Sequence, residues 1–397
     1  MSISQRAKNI APSLTLEITA KAKKMKAEGI SIIGFGAGEP DFNTPDYIIE
    51  AAKKALDIGF TKYTPASGTP ELKKVICDKF LKENGLTYKP EQIIVSTGAK
   101  SSLFHAIEAI IEKDDEVILP SPYWLTYPEL INLAEGKCII VETKKENDFK
   151  ITYEELKSVY TNKTKCLILN SPNNPTGAVY NLEELKAIAK FVEETGIYVI
   201  ADEIYEKLVY EGEKHYSIAS LSDYLYDHTI IINGVSKSYA MTGWRIGYLA
   251  APLEIAKAIS SMQSHTTSNA CSISQYASTA ALSGGEDFIE NMVKIFDERR
   301  KLMISKIEDI ENVSYITPKG AFYVMVDVSN LYGKSYDSTL INGSLSFADC
   351  ALKAGVAVIP GIAFGNDKCI RLSYAISKED ISEGLDRLKK FIGDLKW

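Results

Sequence analysis

The 397-residue chain has no cysteine-pair motif, no long run of basic charge and no long apolar stretch. Its six cysteines, Cys77, Cys138, Cys166, Cys271, Cys350 and Cys369, are widely scattered and include no C-x-x-C pair. That spacing argues against a zinc site or a disulfide framework and for reduced thiols, as in the cytoplasm. No metal is expected. The net charge of −7 gives no electrostatic footprint for nucleic acid or an acidic membrane. No apolar run approaches the roughly 20 residues of a membrane span. Arg6 and Lys8 are not followed by an apolar segment, so no signal peptide is expected. What remains is an ordinary soluble composition, 45% apolar and 24% charged. A chain of this length predicts about two or three domains and a small-molecule partner.

What the sequence does have is alternation. Thr44-Pro45 ahead of Gly59, and Thr69-Pro70 ahead of Gly85, each predict a helix with an N-cap, Pro at N1 and Gly at C′. Asn181 with Glu184 is a capping-box variant that opens a helix running to Gly196. Between the helices lie short β-branched runs at 93–96, 116–119, 138–142, 166–169, 198–201, 229–232 and 245–250. Several are almost wholly apolar, as strands covered on both faces must be. Strand and helix alternating at this spacing predict an α/β sheet, largely parallel, over about residues 46–288. A long charged helix at 287–308 then leads to an α+β part with strands at 322–328, 356–359 and 370–374.

Ligands of open α/β sheets bind at the carboxyl ends of the strands, so the unusual residues there matter most. The stretch NGVSKSYAMTGWRIGYL, 233–249, sets Lys237 and Arg245 beside Gly243 and Gly247 just past an apolar strand. It is either a solvated turn or a site that needs an amine close to an anion-binder. Ser96-Thr97-Gly98-Ala99-Lys100 passes from a strand into a helix, where first-turn N–H groups can cradle a phosphate. The P-loop spacing fails there, because Ile94 and Ala99 stand where glycines are required. The stretch 34–38, GFGAG, fails the dinucleotide pattern because Glu39 takes the place of its last glycine. Asn174 lies in a proline-bracketed turn, Asp202 ends the strand at 198–201 with Tyr205 three residues on, and Trp124 follows the strand at 116–119. Arg371 alternates with Ile370 and Leu372 in a strand and suits bidentate capture of a carboxylate. Taken singly, each leaves a plain structural alternative open: a turn, a helix cap, a core aromatic or a surface arginine.

One chemistry asks for all of them together. Pyridoxal 5′-phosphate needs a lysine amine for its aldehyde, a phosphate cradle with an arginine, and an acid against its pyridine nitrogen. It also needs a donor to its ring oxygen and a flat side chain on its face. Lys237 can supply the amine, and Arg245 with the amides of Gly98, Ala99 and Lys100 the cradle. Asp202 can supply the acid, Asn174 and Tyr205 the donors, and Trp124 the stacking face.

The motifs GEPDF (38–42), KYTPASGTPEL (62–72), SPYW (121–124), NSPNNPTG (170–177), DEIYE (202–206), SKSYAMTGWRIGY (236–248) and RLSYA (371–375) occur in that order. With them the chain resembles the class I aminotransferases of fold type I, and within these the prokaryotic aspartate aminotransferase subgroup. The resemblance runs from about Ala11 to the C-terminal helix. It implies an α/β fold with a large cofactor-binding domain over 46–288, built on a mostly parallel seven-stranded sheet. A smaller α+β domain from 1–45 and 289–397 would close on substrate. The resemblance also implies a homodimer in which Tyr63 reaches the neighbouring subunit's phosphate, while Ser236 and Arg245 bind it within the subunit. Gly38, Trp124, Asn174 and Arg371 match the family's substrate contacts.

Lys100 and Thr15, with Ser13, match residues that grip the side-chain carboxylate of aspartate or glutamate in this subgroup. Members that also act on prephenate tend to carry lysine where this chain has Ala11. The implied reaction moves an amino group between L-aspartate and 2-oxoglutarate by ping-pong kinetics, with Lys237 as nucleophile and base. Aminotransferases for aromatic or neutral amino acids or prephenate stay open as alternatives, as does a fold type I lyase. A transcription regulator of this fold is disfavoured, because no DNA-binding segment is expected. The polar segment 336–345 is longer than usual for the family and carries no expectation of its own.

Overall fold

The protein is described here by a computed structural model covering residues 3–397. Strands β1 (Ile93–Ser96), β2 (Glu116–Ser121), β3 (Lys137–Glu142), β4 (Thr164–Asn170), β5 (Tyr198–Asp202), β6 (Thr229–Gly234) and β7 (Gly247–Ala250) form one sheet in the order β1-β7-β6-β5-β4-β2-β3. Neighbours are parallel except where β7 lies antiparallel between β1 and β6. The mostly parallel seven-stranded sheet is thus as expected. Its apolar runs follow from burial on both faces. Ile230 and Ile232 enter one core with Ile168, Ile200 and Leu103, while Ile231 between them enters another with Val95 and Ala250.

The helix caps are local devices and most behave as read. Thr69 Oγ1 accepts from Leu72 N–H with Pro70 in the first turn, and Asn181 and Glu184 bond reciprocally. Gly85 and Gly196 end their segments in the left-handed region, the first after a π turn over Phe80–Asn84. Thr44 differs. Pro45 takes the cap position of the helix Asp46–Asp57 without a side-chain bond, and Thr44 Oγ1 donates instead to Ala240 carbonyl oxygen at 2.8 Å. A distant carbonyl wins its hydroxyl.

Two strand expectations are also corrected. The run 245–250 becomes extended only at Gly247, because Arg245 adopts φ +57° after the 3-10 turn Thr242–Trp244. The run 356–359 is not one strand. Val356–Ala357 pairs parallel with Ile33–Gly34, whereas Ile359–Pro360 turns to a different partner.

That partner belongs to a second, antiparallel sheet. It contains β8 (Ser314–Tyr315), β9 (Tyr323–Asp327), β10 (Ile359–Pro360) and β11 (Cys369–Ser373) in the order β10-β11-β9-β8. The helix Asp287–Glu308 and the C-terminal helix Lys378–Gly393 share its core through Phe296, Met303, Leu385 and Phe391. Segment 336–345 holds a short hairpin, Ser335–Tyr336 with Thr339–Leu340, turned by Asp337 and Ser338 at positive φ.

Register decides what the large sheet presents. Asn170 lies opposite Asp202, Asp202 opposite Ile232, and Gly247 opposite both Gly234 and Ser96. The carboxyl ends of β4, β5, β6 and β1 therefore meet at one edge, with the start of β7 among them.

Candidate active site

A cavity of about 670 Å³ opens at that edge. Its walls include Thr15, Gly38, Ala99, Lys100, Trp124, Asn174, Asp202, Tyr205, Ser236, Lys237, Arg245 and Arg371. Residues separated by more than three hundred positions in sequence are thus brought together. Gly98 lies beneath this wall rather than in it: a Cβ there would strike the Arg245 guanidinium. Tyr63 stands apart, outside the cavity and 91% exposed.

Lys237 comes from the turn after β6. Its Nζ donates to Gly38 carbonyl oxygen at 2.5 Å and lies 5.9 Å from the Tyr205 ring centroid. Burial disfavours the charged amine and lowers its pKa to about 8, although Glu39 pulls the other way. Asp202, at the end of β5, is buried. Its Oδ2 accepts from Tyr127 Oη at 2.7 Å and its Oδ1 from Ile204 N–H at 3.2 Å. Burial outweighs those bonds and raises its carboxyl to about 6.

Arg371, in the middle of β11, is 3% exposed, so it is no surface strand residue. Nη1 donates to Asn174 Oδ1 at 2.9 Å, and the guanidinium lies 4.3 Å from the Tyr323 ring and 4.8 Å from Phe364. Among the described residues its buried Nε has no acceptor. A buried guanidinium with an unused donor is suited to an incoming carboxylate. Asn174 is itself held by its backbone N–H, which donates to Asn170 Oδ1 at 2.9 Å.

Ala99 and Lys100 open the helix Ala99–Ile110, so their N–H groups lie in its first turn. The left-handed turn at Arg245 aims its guanidinium over Gly98, with Nη1 donating to Thr242 carbonyl oxygen at 2.8 Å. The Lys100 amine sits 5.0 Å from the Trp124 ring, its pKa lowered by burial and then by Arg245. Thr15 is in the first turn of the helix Leu14–Ala27, its hydroxyl 3.0 Å from Ser13 Oγ.

Residues 30–388 match the family described as aminotransferase class I and II. This chain belongs to that family. It is similar to the aspartate aminotransferase of Bacillus sp. (strain YM-2), 48% identical over 98% of this chain and 99% of the relative. A probable aspartate/prephenate aminotransferase of Aquifex aeolicus (strain VF5) is 47% identical over 99% of each chain. The solved aspartate aminotransferase of Rhizobium meliloti superposes with a TM-score of 0.96 at 40% identity, covering all of both chains. The fold is therefore the fold type I architecture of the class I aminotransferases, and the protein is an enzyme of that class.

In this aminotransferase, Tyr127 and Tyr323 line the cavity although the sequence reading did not single them out. Tyr127 bonds Asp202, and Tyr323 packs on Arg371 and pairs with Tyr205 Oη at 3.1 Å. Tyr127 lies three residues beyond Trp124, in the first turn of the helix Thr126–Leu133, and their rings meet edge to face with centroids 5.5 Å apart. For Tyr323 the sequence offers no signal, since its partners come from across the fold.

Proposed function

We propose that the enzyme exchanges an amino group between L-aspartate and 2-oxoglutarate, using pyridoxal 5′-phosphate. The observation that carries this reading is the meeting of Lys237, Asp202 and Arg371 around one cavity. Two features support the cofactor. Gly98 leaves room for a guanidinium beside a helix start, a cradle any larger residue would fill. Among the described residues the buried Asp202 carboxylate is bonded only by a hydroxyl and one N–H, and a cationic partner would stabilise its ionised form.

When bound, pyridoxal 5′-phosphate supplies an aldehyde for the amino group and a protonated ring that draws electrons from Cα. Arg245, Ser236 and the amides at Gly98, Ala99 and Lys100 would hold its phosphate. Asp202 would keep the proton on its ring nitrogen, Asn174 and Tyr205 would bond its ring oxygen, and Trp124 would cover its face. Arg371, with Asn174, would take the substrate α-carboxylate, while Gly38 frames the pocket. Lys100 and Thr15 would take the side-chain carboxylate. Lys237, its pKa lowered by burial to about 8, would bond the aldehyde at rest and then move the proton at Cα.

The dimer belongs to the same reading, with Tyr63 reaching the other subunit's phosphate. So do a cytoplasmic setting and a division into a large domain, 46–288, and a closing domain, 1–45 with 289–397. No metal or nucleic acid takes part. Prephenate is the second reading, favoured by the name of the Aquifex relative. Against it, position 11 is alanine rather than the lysine that prephenate-acting members tend to carry.

The test is single-turnover reaction of the aldehyde form with aspartate, alanine, phenylalanine and tyrosine, and of the aminated form with 2-oxoglutarate and prephenate, each followed by the cofactor's colour change. Aspartate is expected to react fastest, and a faster prephenate or tyrosine rate would displace the assignment. Ammonia release without a 2-oxo acid acceptor would reveal a lyase. Lys237→Ala should lose about a thousandfold or more in turnover while still binding cofactor.

A further inference from the structure

Behind the turn 202–206 lies a charged cluster that transamination does not use. Asp202 and Tyr205 line the cavity, whereas Glu203 and Glu206 of the same turn are buried outside its wall. Glu206 ion-pairs with Lys79, at the end of the helix Pro70–Lys79, and accepts from Asn84 Nδ2 at 3.2 Å and Asn233 Nδ2 at 2.8 Å. Lys79 Nζ also donates to Asn84 Oδ1 at 2.9 Å and lies 3.6 Å from Glu83. Glu203 accepts from Ser217 Oγ at 2.6 Å and faces His215 Nε2 at 3.2 Å.

Glu203, Glu206 and His215 have the donor types of a metal site. The Lys79 ammonium, however, already stands against Glu206 as its cation. The cluster is therefore an internal ion-pair network. Such a buried pair is seldom more stabilising than apolar packing of the same volume, so a gain in geometry is the better account of it.

The bonds of the turn connect this network to the cavity. Glu206 N–H donates to Glu203 carbonyl oxygen at 2.9 Å and closes the turn, whose Ile204 N–H holds Asp202 Oδ1. We propose that Lys79 and Glu206 are positioning residues, which hold the 203–206 turn from behind and thereby orient the Asp202 carboxylate toward the cofactor's ring nitrogen. The proposal rests on the role given to Asp202 above.

The test measures equilibrium binding of pyridoxal 5′-phosphate, and of an analogue with carbon in place of the ring nitrogen, to the full chain freed of cofactor. A bond from Asp202 to the ring nitrogen favours the natural cofactor, while general loosening weakens both ligands alike. Lys79→Met with Glu206→Gln removes both charges together and leaves neither buried alone. Glu206→Gln by itself is the near-isosteric check should the double variant fold poorly. Each is expected to reduce the preference for the natural cofactor about tenfold, the scale of one charge-assisted hydrogen bond. Circular dichroism should be unchanged. An undiminished preference in the folded variants overturns the proposal. Asp202→Asn separates the two readings. If it abolishes the preference while Lys79→Met with Glu206→Gln keeps it, only the positioning role fails. If Asp202→Asn also leaves the preference intact, the role of Asp202 fails and the proposal with it.

Discussion

Asp202 and Lys237 are both displaced by burial, each toward its neutral form. Asp202 rises from 3.8 to about 6, so between those values the folded chain holds a proton that the unfolded chain releases. Its ionisation therefore opposes folding fully above about pH 6, and the displacement corresponds to about 3 kcal/mol. In the chain freed of cofactor, Asp202→Asn is expected to raise stability near pH 7 by up to about 3 kcal/mol and to change it little near pH 4. Urea unfolding at the two pH values checks the sign. Lys237 behaves conversely: its penalty is complete below pH 8 and is relieved as pH climbs toward 10.5. At Lys100 the expectation concerns specificity. Lys100→Ser should lower kcat/KM for aspartate about 10- to 100-fold and leave alanine nearly unchanged, because only aspartate offers a second carboxylate. Equal losses for both substrates would remove Lys100 from the pocket's acidic recognition.

At the scale of elements, the loops after the strands were readable because their demands are local. A glycine with φ +77° at position 98 and a capping box at Asn181 are set within a few residues of chain. Gly247 is different: a Cβ there would collide with the backbone of Gly98 and Ala99, where β7 presses against the start of the helix Ala99–Ile110. Gly247→Ala should push that helix start away from Arg245 at a cost of about 1–3 kcal/mol. Titration of pyridoxal 5′-phosphate against the freed chain, followed by fluorescence quenching, is expected to show at least about tenfold weaker binding. Thr44 and the run 356–359 escaped the reading for the converse reason. Ala240 claims the Thr44 hydroxyl from nearly two hundred residues away, and Ile33–Gly34 claims Val356–Ala357 from over three hundred.

For the whole molecule, Tyr63 is the informative outlier. It is a large aromatic 91% exposed in the single chain and outside this chain's own cavity, as the expectation that it serves the neighbouring subunit requires. A dimer that lends Tyr63 to its neighbour makes complementation possible. Lys237→Ala and Tyr63→Phe chains, each impaired alone, should regain activity when unfolded together and refolded as mixed dimers. Such a dimer holds one site with both native residues. Coupled assay of the purified mixed species checks this, and a mixed species no more active than the sum of its parents would place Tyr63 in its own subunit's site rather than its neighbour's.

The sequence by itself determined the alternation of elements, the residue types at the strand ends and their order along the chain. Those properties depend on neighbours a few residues apart. Only the tertiary structure decided that Arg371 is buried against Tyr323 and Asn174, that Tyr127 holds Asp202, and that Lys79 stands behind the turn carrying it. Each of these contacts joins segments far apart in sequence, whose approach is set by sheet register and by the packing of helices and loops into shared cores. No local spacing encodes that approach, because a side chain's burial and partner are properties of the assembled core.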